Sequence, residues 1–144
     1  MVEIFPFSPS DYDEVMALWQ ATEGLTLRES DSRDAITSYL ARNPGLSFVA
    51  RDSGRLVAAV LAGTDGRRGY LQHLAVAHTH RRHGLGRRLA ERVLEELGAL
   101  RIAKCHLFVR REHAEAREFW EHSGWTARDD VTLMSHTDSD ATNA

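Results

Sequence analysis

The chain has 144 residues, 42% hydrophobic and 27% charged, with a formal net charge of −3. That is the make-up of one soluble globular domain able to bury its own core, and a mildly acidic chain is not a general nucleic-acid binder, which is basic over a whole face. Cys105 is the only cysteine, so no internal disulfide can form and a reducing compartment is expected. No apolar run approaches the ~18 residues of a membrane span, and the N-terminus lacks a basic-then-apolar signal pattern. A cytoplasmic protein with no membrane partner is expected.

Val2 to Phe7 reads as a short edge-type strand with Pro6 at its end. Ser8-Pro9-Ser10-Asp11 is a helix start, in which Ser8 caps, Pro9 suits the first turn and Asp11 complements the dipole. Tyr12, Val15, Met16 and Trp19 line one face of that helix to about Ala21, and Glu23-Gly24-Leu25 opens a polar loop. A second helix starts at Asp31 or Ser32, carries Ile36, Tyr39 and Leu40, and stops at Asn43-Pro44-Gly45. Leu46–Arg51 and the fully apolar Leu56–Gly63 are strands joined by Asp52-Ser53-Gly54-Arg55, and the second belongs in the sheet centre.

Thr64 to Gly69 turns the chain into a strand at Tyr70–Val76. A polar loop, Ala77–His83, then leads through Gly84-Leu85-Gly86 into a helix with Leu85, Leu89, Val93 and Leu97 on one buried face. Gly98 is expected to stop it. Cys105–Val109 is a further strand, and Arg110–Ser123 a short helix with Ala116, Phe119 and Trp120 toward the core. Gly124 is expected as its left-handed cap. Trp125–Arg128 and Val131–Met134 read as a closing strand pair, and residues 136–144 as a disordered tail. The order is β-α-α-β-β-β-α-β-α-β-β, with neither repeat nor interdomain linker, so residues 1–135 are read as a single domain.

The strand, basic turn and helix from Tyr70 to Leu97 carry the chemistry. A helix start has backbone N–H groups without intrahelical partners, and its dipole favours negative charge. Glycines let a phosphate approach the backbone and permit unusual dihedrals. Arg81, Arg82, Arg87 and Arg88 add positive charge, so a pyrophosphate is the natural occupant. No Gly-Lys-Ser/Thr follows, which excludes a P-loop, and no Gly-x-Gly-x-x-Gly occurs, which excludes the dinucleotide fingerprint.

Arg81-Arg82-His83-Gly84-Leu85-Gly86 resembles the pattern Arg/Gln-x-x-Gly-x-Gly/Ala of the GNAT family of N-acetyltransferases, and the element order resembles that fold across essentially the whole chain. Ala116, Phe119, Gly124 and Trp125 fit the family's Asn-x-x-Ala-x-x-Phe-Tyr-x-x-x-Gly-Phe, with Trp125 for the final Phe. The resemblance implies an α/β (α+β) fold, a mixed and mostly antiparallel central sheet flanked by helices. It implies acetyl-CoA as co-substrate, with backbone amides from His83 through Gly84, Leu85 and Gly86 to Arg87 on the pyrophosphate. Backbone groups of Leu74 and Val76 would pair with the pantetheine arm as if it were a strand, and a backbone N–H near Leu74 to Ala75 would polarise the thioester oxygen.

Two positions depart from the family pattern: His113 stands at its Asn and Trp120 at its Tyr. In many members that Tyr hydroxyl is taken to protonate the leaving thiolate. An indole N–H can donate a hydrogen bond but does not transfer its proton, so Trp120 either stabilises the thiolate and shapes the pantetheine pocket or is core filler. His73 has the chemistry of a base. By simple alternation it shares the face of Leu71 and Ala75, while Tyr70, Gln72 and Leu74 face the other way; a bulge expected in this strand would alter that count. Glu23, at the end of the first helix, is either an amine ligand or base, or a solvated loop carboxylate. Asp65 reads as a turn former, Cys105 as a buried and inert thiol. His78, His80 and His83 lack a carboxylate or Cys at ligand spacing, so a basic surface and no metal are expected.

The expected activity is acetyl transfer to a primary amine by direct attack in a ternary complex. Acetylation of protein N-termini or lysines, and a non-catalytic acyl-CoA sensor, are the competing readings. A nucleic-acid partner for Arg81–Arg88 is disfavoured, since no aromatic residues interleave with the arginines. Exposed edge strands in this fold often pair, so a homodimer stands among the expected assemblies.

Overall fold

The apolar run Leu56–Gly63 lies inside a ten-residue strand at the middle of a five-stranded sheet. In the computed structural model, which describes residues 1–144, the strands are β1 (Val2–Pro6), β2 (Phe48–Asp52), β3 (Arg55–Thr64), β4 (Gly69–Val76) and β5 (Cys105–His106), in that spatial order. Neighbours from β1 to β4 are antiparallel, and β4 pairs with β5 in parallel. A strand covered on both faces has no reason to alternate polar with apolar residues, and residues 56–63 of β3 are all buried.

Two compact units divide the chain, Met1–Leu107 and Phe108–Ala144. In the first, α1 (Tyr12–Gln20) and α2 (Arg33–Arg42) cover one face of the sheet, with Val15, Trp19 and Ile36 packed on Ala59 and Leu61. The other face carries α3 (Leu85–Ala99), whose Leu85, Leu89, Val93 and Leu97 are all buried, as their four-residue spacing requires. Two glycines mark where helices press closest. A Cβ on Gly63 would lie 2.3 Å from the Tyr39 hydroxyl, and one on Gly69 would lie 2.5 Å from Leu97 Cδ1.

The helix starts follow the sequence. Ser8 accepts the Ser10 N–H ahead of a 3-10 turn that leads into α1, and Ser32 Oγ accepts the Ala35 N–H of α2 at 3.2 Å. Such a cap contributes about 1 kcal/mol. The end of α3 differs from expectation. Gly98 lies within the helix, in open surroundings where a glycine costs only about 1 kcal/mol. Arg101, at φ 63°, is the left-handed residue instead: its N–H reaches Gly98 O and the Ile102 N–H reaches Leu97 O, each at 2.9 Å.

The second unit contains α4 (Ala114–His122), which starts four residues later than the sequence suggested. Gly124 has φ 92°, Gly124 N–H bonds Glu121 O at 3.1 Å, and Trp125 N–H bonds Trp120 O at 2.9 Å. The rings of Trp120 and Trp125 meet edge to face at 5.2 Å, the apolar contact that accompanies this closure. No residue of α4 is fully buried, and Phe119 is exposed rather than turned to a core. The closing strand pair is absent. Strands exist only where a neighbour takes their backbone groups; in 125–134 the Arg128 guanidinium closes locally on Asp130, and Val131, Leu133 and Met134 are exposed. Likewise β5 has two residues, not five.

Candidate cofactor and acceptor site

The site is built on β4. Across β3 and β4, Ala59 pairs with Ala75 and Leu61 with Gln72, so Val60 alone faces both His73 and Leu74. This is a bulge, and its extra residue, His73, has φ 50°. Histidine is among the side chains that enter this left-handed region more readily. The bulge turns the His73 carbonyl out of the ladder, where the Trp19 indole N–H donates to it at 3.0 Å. It also moves the imidazole from the α3 face, where alternation put it, to the face of α1. There the ring meets Trp19 edge to face at 4.9 Å, and Nε2 lies 2.8 Å from Asp31 Oδ1.

Asp31 is fixed in turn. It lies in a 3-10 turn before α2, is 5% exposed, accepts the Arg28 N–H on Oδ2 at 2.9 Å, and receives the Tyr12 hydroxyl on its main-chain oxygen at 2.7 Å. Burial pushes its carboxyl pKa up, but the hydrogen bonds from His73 and the Arg28 N–H outweigh that and hold it below the ordinary value. The group is a carboxylate at neutral pH.

Beyond the bulge the sheet opens. Pairing of β4 with β5 is limited to Gly69 with Cys105 and Tyr70 with His106. The Ala77 N–H donates to Val57 O at 2.7 Å, which turns the backbone of Ala75 and Ala77 to β3 and that of Leu74 and Val76 to the open side. Val76 O there accepts Arg81 Nε at 2.9 Å. At the start of the opening, burial pushes the Cys105 thiol up to about 11, so it stays protonated and unreactive.

Next along the chain comes the basic turn. Arg82 has φ 66°, and Gly84, the residue before α3, has φ 78° and ψ 8°. The helix ladder begins with Arg88 N–H on Gly84 O at 3.0 Å, so the N–H groups of Leu85, Gly86 and Arg87 have no acceptor within the helix, and no side chain caps them. A Cβ on Gly84 would meet nothing within 4 Å, so the space before these donors is open. Arg82, His83, Arg87 and Arg88 are exposed around it, Arg87 beside Glu91 at 3.0 Å, while Leu85 and Gly86 are buried. The residues fit an anionic group such as a pyrophosphate: free donors, a left-handed glycine and positive charge.

The other candidates are dispersed. Glu23 is exposed beyond the end of α1. Asp65 accepts the Arg67 and Arg68 N–H groups, which hold its pKa low, and is a turn former. His80 is tied to Asp52 at 2.8 Å, while His78 and His83 are exposed. His113, the residue before α4, and Trp120 both lie in the second unit. Sequence reasoning missed Asp31 as anything but a helix start, and Trp19 as anything but core.

A sheet that opens beside a bulged fourth strand, with an uncapped helix start next in the chain, defines an acetyltransferase fold. The chain belongs to the acetyltransferase (GNAT) family, whose model matches residues 12–125. An acetyltransferase of Yersinia enterocolitica is 30% identical over 132 residues, covering 92% of this chain and 93% of that protein. One of Sodalis glossinidius is 29% identical over 133 residues, with the same coverage. Among solved structures, the PaiA N-acetyltransferase of Thermoplasma acidophilum in complex with coenzyme A superposes with a TM-score of 0.81 at 16% identity, over 98% of this chain and 95% of that one. The ribosomal-protein-S18-alanine N-acetyltransferase of Escherichia coli gives 0.71 at 24% identity, over 86% and 77%.

Proposed function

We propose that this chain, acting over residues 1–135 as one domain, is an acetyl-CoA-dependent N-acetyltransferase that passes the acetyl group directly to a primary amine. The observation that carries this is the continuity of open strand edge, left-handed turn and free helix N–H groups along Leu74–Arg87. Backbone N–H groups of His83–Arg87, with Arg81 and Arg82, hold the pyrophosphate. Leu74 and Val76 present backbone groups to the pantetheine arm, and the backbone N–H of Leu74 polarises the thioester oxygen, the kind of donor whose loss costs about 3–4 kcal/mol; the Ala75 N–H, turned to β3, does not serve this role. His113 and Trp120, at the Asn and Tyr positions of the family pattern, contribute to cofactor binding.

His73 takes the proton that frees the amine lone pair. The amine nitrogen bonds the thioester carbon, the carbon–sulfur bond breaks, and the thiolate leaves with stabilisation from the Trp120 indole N–H, the second proton of the nitrogen passing through water to the sulfur. Holding both substrates in line supplies roughly 7–11 kcal/mol of the barrier reduction. Glu23 steers the amine toward the site as an exposed carboxylate. The protonic chemistry needs no metal.

The test is a mass-spectrometric screen with acetyl-CoA over metabolite amines and peptide N-termini, run beside calorimetric titration of acetyl-CoA. Acetylated small amines are the expected products. Products confined to peptides would make this a protein acetyltransferase, and binding without any turnover would make it a sensor.

A further inference from the structure

The imidazole of His73 has two nitrogens, and their surroundings differ. Nε2 faces a carboxylate oxygen of Asp31 at 2.8 Å. An ionised carboxylate only accepts, so Nε2 carries the hydrogen. Nδ1 makes no hydrogen bond within the protein, and no side-chain nitrogen is buried without a partner, so Nδ1 is open to solvent. The ring cannot easily exchange the two. Its edge lies on Trp19, and its own carbonyl is held by the Trp19 indole.

Asp31 has no freedom to retreat either. Its second oxygen is occupied by the Arg28 N–H and its main-chain oxygen by Tyr12. Asp13 in α1 and Arg33 in α2 also lie at this layer, beside Tyr12. They are paired with each other, and the Arg33 guanidinium lies over the Tyr12 ring at 4.7 Å. β3 contributes only apolar residues, Leu56, Ala59 and Leu61, to this cluster. The imidazole is hydrogen-bonded by one carboxylate, at Nε2.

We propose that Asp31 is the positioning residue of the reaction, fixing His73 in the Nε2–H tautomer so that Nδ1 is the atom that receives the proton of the acceptor ammonium. This rests on the reading of His73 as the base. In the step, the N–H bond of the ammonium breaks, an N–H bond forms at Nδ1, and the imidazolium that results keeps its Nε2–H on the Asp31 carboxylate. The freed amine then attacks the thioester, and Nδ1 returns its proton to solvent. A carboxylate behind a histidine sets its tautomer and orientation, while proton transfer itself remains at the imidazole. The buried aspartate touches no substrate.

The first test needs no substrate. Long-range 1H–15N correlation of protein labelled at histidine nitrogen, with His73 assigned by its loss in His73→Gln, reads the tautomer directly. At a pH where the ring is neutral, a protonated Nε2 and a bare Nδ1 are expected; a protonated Nδ1 overturns the proposal. The second test is Asp31→Asn with the acceptor returned by the amine screen. kcat/KM for that acceptor should fall about 10- to 100-fold, the range seen when a carboxylate partner of a metal-bound histidine is lost. KM for acetyl-CoA should stay unchanged. An unchanged rate overturns the proposal. Wild-type turnover by His73→Gln would overturn the base assignment as well, whereas a protonated Nδ1 removes only the role of Asp31. If Asp31→Asn fails to fold, the wild-type tautomer decides alone.

Discussion

The indole nitrogen of Trp19 donates to the main-chain carbonyl of His73 across 3.0 Å, tying α1 to the one residue of β4 that has left the ladder. A carbonyl turned out of a sheet loses its strand partner, and a buried one left unpaired costs about 1–3 kcal/mol. Trp19 is fully buried. Trp19→Phe keeps an aromatic ring but removes the donor and part of the volume. It should destabilise the fold by about 2–4 kcal/mol and weaken acetyl-CoA binding through a loosened bulge. Urea unfolding with the wild-type midpoint would show that the bulge holds itself.

Gly84 offers a way to separate backbone shape from charge. Its φ of 78° penalises any side chain, yet a Cβ there meets nothing. Gly84→Ala should cost about 1 kcal/mol of stability and weaken acetyl-CoA by less than tenfold. Gly84→Asp carries the same backbone penalty plus a carboxylate before the free N–H groups, and should abolish binding while the protein stays folded. Calorimetric titration distinguishes them; equal affinities would remove the phosphate from this turn.

Acid sensitivity follows from Asp31. Burial raises its pKa, but the hydrogen bonds from His73 and the Arg28 N–H win, so the folded value lies below the ordinary 3.8. The stabilisation it provides is complete above that value and is lost as pH falls through the lower folded one. Denaturant midpoints should be flat on this account from neutral pH to about 5 and then decline. Asp31→Asn should start lower and decline less steeply over the same acid window. A variant that declines in parallel with the wild type would assign the acid limb to other carboxylates.

Trp120 is the third residue from the end of α4, where its carbonyl closes the helix on Trp125 and its ring packs on the ring of Trp125. Tyr keeps an aromatic contact there and supplies the hydroxyl that the family pattern has. Trp120→Tyr should keep or raise turnover, whereas Trp120→Phe, with no donor, should lose about 1–3 kcal/mol of transition-state stabilisation. Equal turnover by all three would leave water as the sole source of help to the thiolate.

The sheet centre, the buried stripe of α3, the basic turn and the Gly124 cap were legible because each is written in neighbouring residues: a run, a spacing, a glycine after a helix. The pairing of His73 with Asp31 was not, because 42 residues separate the partners and nothing local marks either. A bulge was foreseen in the strand, but its position came only from the register of Val60 against two residues. Gly98 misled because glycine was read as a stop, when the helix end was settled by where Ile102 could return its N–H to Leu97. The closing strands failed for the converse reason: β-type residues are present, but a strand is a relation between two segments and not a property of one.

Leaving β4 unpaired above Tyr70 exposes a row of main-chain donors and acceptors, the feature by which sheets recruit foreign chains and aggregate. Two details make this edge a poor template for polypeptide. The extra residue at His73 breaks the regular repeat that an added peptide strand would have to follow, and the Arg81 side chain already occupies the carbonyl of Val76. A partner with few amides, widely spaced on a flexible chain, needs no such regularity. The same distortion that turns His73 out of the ladder thus makes this edge irregular for an added peptide strand.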